Sequence, residues 1–167
     1  EEAWGLQVWK APLTPACVER SRTEHQRFYN ELKPFLLAVQ KEHPRFVVLD
    51  IHSYNHRRDG NHTPPADLKD NPEVNVGTGS LNRSRWGKLV DRFMKDMSAY
   101  TFQGRHLDVR ENVKFRGGYF AEWIHANFPK SGCVLALEFK KIFMDEWTGE
   151  LFPAVFEDIK KALVSTI

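Results

Sequence analysis

Two short stretches constrain the fold of this chain more than anything else in it. Phe46-Val47-Val48-Leu49-Asp50-Ile51-His52 and Cys133-Val134-Leu135-Ala136-Leu137-Glu138-Phe139 are almost continuously apolar and rich in β-branched residues. Runs of this length and character read as strands buried on both faces, the setting of a parallel sheet. Such a sheet needs helices on its faces, and the rest of the chain supplies them. Thr14-Pro15 marks a helix start, with Val18, Arg22, His25, Tyr29, Leu32, Leu36 and Val39 on one face; Pro34 kinks or divides that helix and His43-Pro44 ends it. A second helix fits residues 84–100, with Trp86, Leu89, Val90, Phe93, Met94 and Met97 facing inward. A third follows Gly117-Gly118, and a fourth opens at Pro153. Shorter strands fit Glu73–Thr78 and His106–Val109, and residues 54–73 read as a long polar loop. The expected fold is α/β, a mostly parallel sheet flanked by helices.

Composition narrows the function classes. A length of 167 residues suits one domain, taken as residues 1–167, and 41% hydrophobic residues suffice for a core. With 24 Lys and Arg against 22 Asp and Glu, the charge is too even to suggest nucleic-acid binding. No apolar run approaches the ~20 residues of a membrane span. Cys17 and Cys133 match no metal or redox spacing, so a cytoplasmic setting is expected. The opening Glu1-Glu2-Ala3-Trp4-Gly5 has neither an initiator Met nor the features of a signal peptide, and reads like the middle of a longer protein.

In open α/β sheets, ligands bind beyond the carboxyl ends of the strands. Both strong strands end in chemistry. Asp50 and His52 are two residues apart, so they share a face of the first strand. A His beside a carboxylate serves as a metal ligand with a supporting acid, as a general base, or as a hydrogen-bonded strand end. Glu138 and Lys140 share a face of the second strand, where an acid is costly to bury. Glu138 is open to two readings, a functional carboxylate or half of an ion pair with Lys140. The loop after His52 carries Arg57 and Arg58, within reach of an anionic substrate. Arg116 precedes Gly117-Gly118, a turn that lets backbone N–H groups and a guanidinium approach a carboxylate.

Leu49-Asp50-Ile51-His52-Ser53, Gly77-Thr78, Phe115-Arg116-Gly117-Gly118-Tyr119 and Leu137-Glu138-Phe139 occur in this order. Together they resemble the N-formylglutamate amidohydrolases. Glu2-Ala3-Trp4-Gly5, His52–Arg58 and Glu138–Glu146 are similar to a bacterial branch labelled flavohemoglobin expression-modulating QEGLA-motif proteins. The resemblance implies a zinc carboxypeptidase-like α/β/α fold, present in part, and hydrolysis of an N-formyl or other N-acyl amino acid. The implied substrate is a small molecule bearing a carboxylate. One zinc ion is implied, with His52 as a ligand, Asp50 behind it and Glu138 activating the water. Arg116, Arg57, Arg58 and Lys140 are the candidates for binding the substrate. The family's upstream His-and-acid ligand pair has no counterpart here, so the other ligands are expected on an N-terminal segment of the same protein. The alternative is a non-catalytic regulatory or binding module that keeps the fold.

Overall fold

The computed structural model describes residues 2–3, 6–60 and 62–167; Glu1, Trp4, Gly5 and Asn61 of the motifs and loop above lie outside the described residues. The chain falls into two compact units, Glu1–Pro44 and Arg45–Ile167. In the first, β1 (Glu2–Ala3) pairs antiparallel with β2 (Leu6–Gln7), and α1 (Pro15–Glu42) follows. The Thr14 hydroxyl accepts from the Cys17 N–H at 3.3 Å, and Pro15 at the first position has no amide to leave unsatisfied. Pro34 does not divide the helix, which continues for 28 residues. A proline removes one donor, and hydrogen-bonded turns on both sides of it carry the helix through.

The second unit is built on β3 (Phe46–Tyr54), β4 (Val74–Gly77), β7 (Val109–Glu111) and β8 (Gly132–Lys140), in the order β3-β8-β4-β7. The pairs β3–β8 and β4–β7 are parallel, while β4 runs against β8. The sheet is therefore mixed, with one antiparallel step in an otherwise parallel order. The two apolar runs are adjacent, as their composition implies, but only β8 is an interior strand. Among the described residues β3 has a neighbour on one side only, so Val47 and Ile51 are 45% and 56% exposed. The single strand expected at His106–Val109 is instead a hairpin of β5 (Thr101–Phe102) and β6 (Arg105–His106), followed by β7. Gln103 and Gly104 turn it with φ of 47° and 77°, the double positive φ that tight hairpins require.

Each face of the sheet is covered differently. On one face Val74, Val76, Leu135, Leu137 and Phe139 pack with Trp86, Val90, Phe93 and Met97 of α2 (Arg83–Ala99), joined by Ile159 and Ala162 of α4 (Pro153–Val164). This is the main core. A large apolar side chain fully buried there contributes ~1.5–3 kcal/mol. On the other face α3 (Tyr119–Asn127) covers the amino end of β8, where Gly132 leaves room for Ile124 and Phe128. No helix of the described residues is long and apolar enough to cross a membrane.

His125 ties α3 to the sheet. The Val134 N–H donates to its Nε2 at 3.0 Å, so the ring proton sits on Nδ1, 2.9 Å from the Ser80 hydroxyl. Burial holds its pKa below the ordinary value, and the same is true of His56. A depressed histidine pKa means that the unfolded chain binds the proton more readily than the folded one. The stability from this effect is present above about pH 6.5 and is lost as the pH falls below it. Thermal unfolding at pH 7.5 and 5.5 checks this: the melting temperature should drop at pH 5.5. His125→Phe should reduce that drop while lowering stability at pH 7.5 by ~1–3 kcal/mol, because the Val134 N–H loses its acceptor.

Candidate active site

The register of the sheet assembles the candidate residues. Along β3 and β8, Asp50 lies opposite Ala136, His52 opposite Glu138 and Tyr54 opposite Lys140. Along β4, Asn75 lies opposite Glu138 and Gly77 opposite Ala136. Paired residues point to the same face, so His52, Glu138 and Asn75 form one row across three strands. Asp50, Ala136 and Gly77 form the next row inward. Both rows lie on the face that α3 covers only at the amino end of β8.

His52 Nε2 lies 2.7 Å from Asp50 Oδ1, with the imidazole 53% exposed and the carboxylate 18%. The imidazole therefore has an acid at its back and solvent access in front. Glu138 is half-buried and makes no hydrogen bond to the described residues. Burial pushes its carboxyl above the ordinary range, with the nearby His52 opposing this and Asp50 adding to it. Glu138 and Lys140 share a face, as their spacing requires, but they form no ion pair. Lys140 is buried, and its amine donates to the Asn71 carbonyl at 3.2 Å. Burial lowers the pKa of that amine, while Glu73 and Asp108 act to raise it. Tyr54 beside it donates its hydroxyl to the Pro72 carbonyl, and burial raises the pKa of its phenol.

Arg116 reaches the same face by a different route. After β7 the chain reverses at Asn112, in the left-handed region with φ 55°, and residues 114–117 then pass over β4. Gly77 and Gly79 permit the crossing. A Cβ on Gly77 would lie 2.6 Å from the Gly117 nitrogen, and one on Gly79 would lie 2.8 Å from the Arg116 oxygen. The Gly79 N–H donates to that same Arg116 oxygen at 2.7 Å. The Arg116 side chain is exposed and makes no hydrogen bond or ion pair with the described residues.

Arg57 is partly committed, donating to the Thr63 carbonyl at 3.2 Å, whereas Arg58 is exposed. Their loop is fastened by Glu146, whose carboxylate accepts from the His56 and Arg57 N–H groups at 2.8 and 2.5 Å. Trp147 adds a bond from its indole N–H to the Arg57 carbonyl at 2.7 Å. A cavity of about 380 Å³ lies here, lined by His56, Arg57, Lys141, Glu146, Trp147 and Phe152 among others. Sequence reasoning gave no role to Glu146 or Asn75. Asn75 carries the signal that drew attention to Glu138, a polar residue inside an apolar strand; Glu146 entered only as the last residue of the Glu138–Glu146 stretch.

The metal question turns on donor count. Catalytic zinc takes three protein ligands and keeps one position open. Among the described residues no three His, Cys, Asp or Glu side chains are grouped to hold a metal ion. His52 is one suitable donor, and by themselves these residues do not fit the ion.

A mixed sheet flanked by helices, with a His–Asp pair and an acid on one of its faces, defines the class: an α/β protein with ionisable side chains gathered by strand register. The chain belongs to the N-formylglutamate amidohydrolase family, whose sequence pattern it matches over residues 2–143. In structure it is similar to the N-formylglutamate amidohydrolase of Ralstonia eutropha JMP134. That likeness has a TM-score of 0.69 at 17% identity, over 95% of this chain and 54% of the other. It is also similar to the gene product Atu2144 of Agrobacterium tumefaciens, with a TM-score of 0.53 at 18% identity over 92% and 56%. The chain thus spans about half the length of the structures it matches. No curated protein sequence matches it.

The crossing over β4 can be tested directly. Gly77→Ala sets a methyl group against backbone of residues 116 and 117, which cannot swing aside as a side-chain tip can. The expected loss is ~1–3 kcal/mol, as for overpacking elsewhere in protein interiors. Gly118→Ala, which meets nothing within 4 Å, should be tolerated. Chemical denaturation of the two variants side by side checks the contrast.

Proposed function

We propose that the protein hydrolyses the amide bond of an N-formyl or similar N-acyl amino acid, with Glu138 as the proton-transferring group. The observation that supports this most is the pairing of His52 with Glu138 across two parallel strands, on the face of the sheet that the Arg116 segment crosses. Zinc, if it belongs to the reaction, requires donors beyond those described, with His52 contributing one. The steps assigned here use this chain's own side chains.

Glu138, half-buried and without a hydrogen-bond partner among the described residues, takes a proton from the attacking water as the water oxygen bonds to the amide carbon. The C–N bond then breaks, and Glu138 delivers the proton to the departing nitrogen. The products are a carboxylic acid and a free amino acid. Asp50 fixes the orientation of the His52 ring through the 2.7 Å contact. Arg116 receives the substrate carboxylate through charge-assisted hydrogen bonds, and Arg58 with Arg57 supplies further positive charge at the loop. The buried amine of Lys140 acts as a nearby charge on His56 of that loop.

A second reading, a binding or regulatory module that retains the fold, draws on the absence of a three-donor metal cluster among the described residues. Glu138→Gln in the full-length protein decides between them. The amide replaces a carboxylate that has no hydrogen bond to lose, so fold and melting temperature should be retained. Hydrolysis of N-formyl amino acids should fall ~10²–10⁴-fold, the usual cost of removing one general base. Metal content measured on the same sample should match the parent. A variant that is destabilised but fully active per folded molecule removes Glu138 from the reaction. A parent protein with neither metal nor hydrolysis leaves the binding module.

A further inference from the structure

The segment carrying Arg116 raises a structural problem that Asn75 solves. On one side β4 is hydrogen-bonded to β7 and on the other to β8, so its main chain has little left for a third neighbour. Residues 114–117 nevertheless lie over its face. Asn75, fully buried, supplies the missing hydrogen bonds from its side chain. Its Oδ1 accepts from the Lys114 and Phe115 N–H groups at 2.9 and 3.3 Å, and its Nδ2 donates to the Phe115 carbonyl at 2.8 Å. One amide side chain thus reproduces the donor and acceptor pattern of a strand neighbour. Two residues further along β4, Gly77 admits the Gly117 nitrogen. The backbone on each side of Arg116 is pinned, while its guanidinium stays exposed and unbonded. An exposed cation on a rigid backbone, without a partner among the described residues, suits recognition of an anion rather than cohesion of the fold.

We propose that Asn75 is a positioning residue for substrate selection: by clamping residues 114–115 it aims Arg116 at the carboxylate of the amide substrate. The proposal rests on the reading above, in which Arg116 receives that carboxylate. Its mechanism is geometric. A guanidinium loses much of its advantage when the backbone beneath it wanders, because paired hydrogen bonds to a carboxylate demand a fixed approach. Asn75 makes no contact with the reacting atoms, so it governs binding of the charged substrate and leaves the chemical step largely untouched.

The experiment uses the full-length protein with Asn75→Ala, Asn75→Asp, Arg116→Ala and the double variant Asn75→Ala/Arg116→Ala. Steady-state kinetics compare N-formyl-leucine with N-formyl-leucinamide, which lacks the carboxylate. Hydrogen exchange reports on the Lys114 and Phe115 amides. Asn75→Ala should raise KM for N-formyl-leucine ~10- to 100-fold, the range set by losing hydrogen bonds to a charged group. It should change kcat little, leave the KM of the amide analogue unchanged, and speed exchange at 114–115. The double variant should be no worse than Arg116→Ala alone. Asn75→Asp keeps the acceptor for both N–H groups and loses the donor, so an intermediate effect is expected even if the alanine variant folds poorly. Additive losses in the double variant, or a normal KM in Asn75→Ala with Arg116→Ala impaired, overturn the role of Asn75. An unchanged KM in Arg116→Ala overturns the reading beneath it, and the proposal with it.

Discussion

Parallel pairing of β3 with β8 in a single register decides which side chains meet. Because side chains alternate along a strand, a slip of one residue sets His52 opposite Leu137 or Phe139 and sends Glu138 to the other face. The register is held by burial. Leu135, Leu137 and Phe139 have to reach the α2–α4 core, and this forces Ala136 and Glu138 toward the opposite face. The antiparallel pairing of β4 with β8 extends the same row to Asn75 and Gly77. The candidate chemistry therefore depends on an apolar core on the other side of the sheet, with which it shares no side chain.

Much of this was legible in the residues. The two apolar runs gave the adjacent strands, and an acid or a His inside such a run stood out because burying it is costly. Gly77-Thr78 marked the end of a strand and Gly117-Gly118 a turn into a helix, though not that the two segments make room for each other. What stayed hidden was long-range. Composition cannot show that β3 is paired on one side only among the described residues, since the same Val and Ile residues suit an interior strand. Nor can it distinguish partners sharing a face: Glu138 and Lys140 satisfy the spacing of an ion pair, yet the lysine turns to a carbonyl from residue 71. The staple from Glu146 to the amides of residues 56 and 57 spans about ninety positions and leaves no local trace.

The loops around this sheet are held largely by side-chain bonds to the main chain rather than by secondary structure. Asn75 clamps 114–115, Glu146 clamps 56–57, and the Arg110 guanidinium donates to the carbonyls of Leu68 and Lys69. Asn112 and Thr78 bond reciprocally across the turn beyond β7. Each clamp satisfies backbone groups that a loop would otherwise leave to water. Loops held in this way keep their side chains free to face a ligand, as Arg116 and Arg58 do.

Set beside the other acids of the second unit, Glu138 is the exception. Glu73 is gripped by both nitrogens of Arg105 at 2.7 and 2.5 Å and by the Asp108 N–H, and its pKa is held down. Asp158 accepts from Tyr100 and Gln103, and Asp145 from the amides of Trp147 and Thr148; both are likewise lowered. Glu111 is bonded by Thr78 and Arg83. The sequence had cations to spare for the same treatment of Glu138, and Lys140 lies on its face two residues away. Instead the carboxyl is half-buried and unbonded, the one acid among the described residues whose pKa is shifted upward. A fold that compensates its other half-buried carboxylates and leaves this one bare bears an energetic cost at one place, the cost that the proton-transferring role proposed for Glu138 would require.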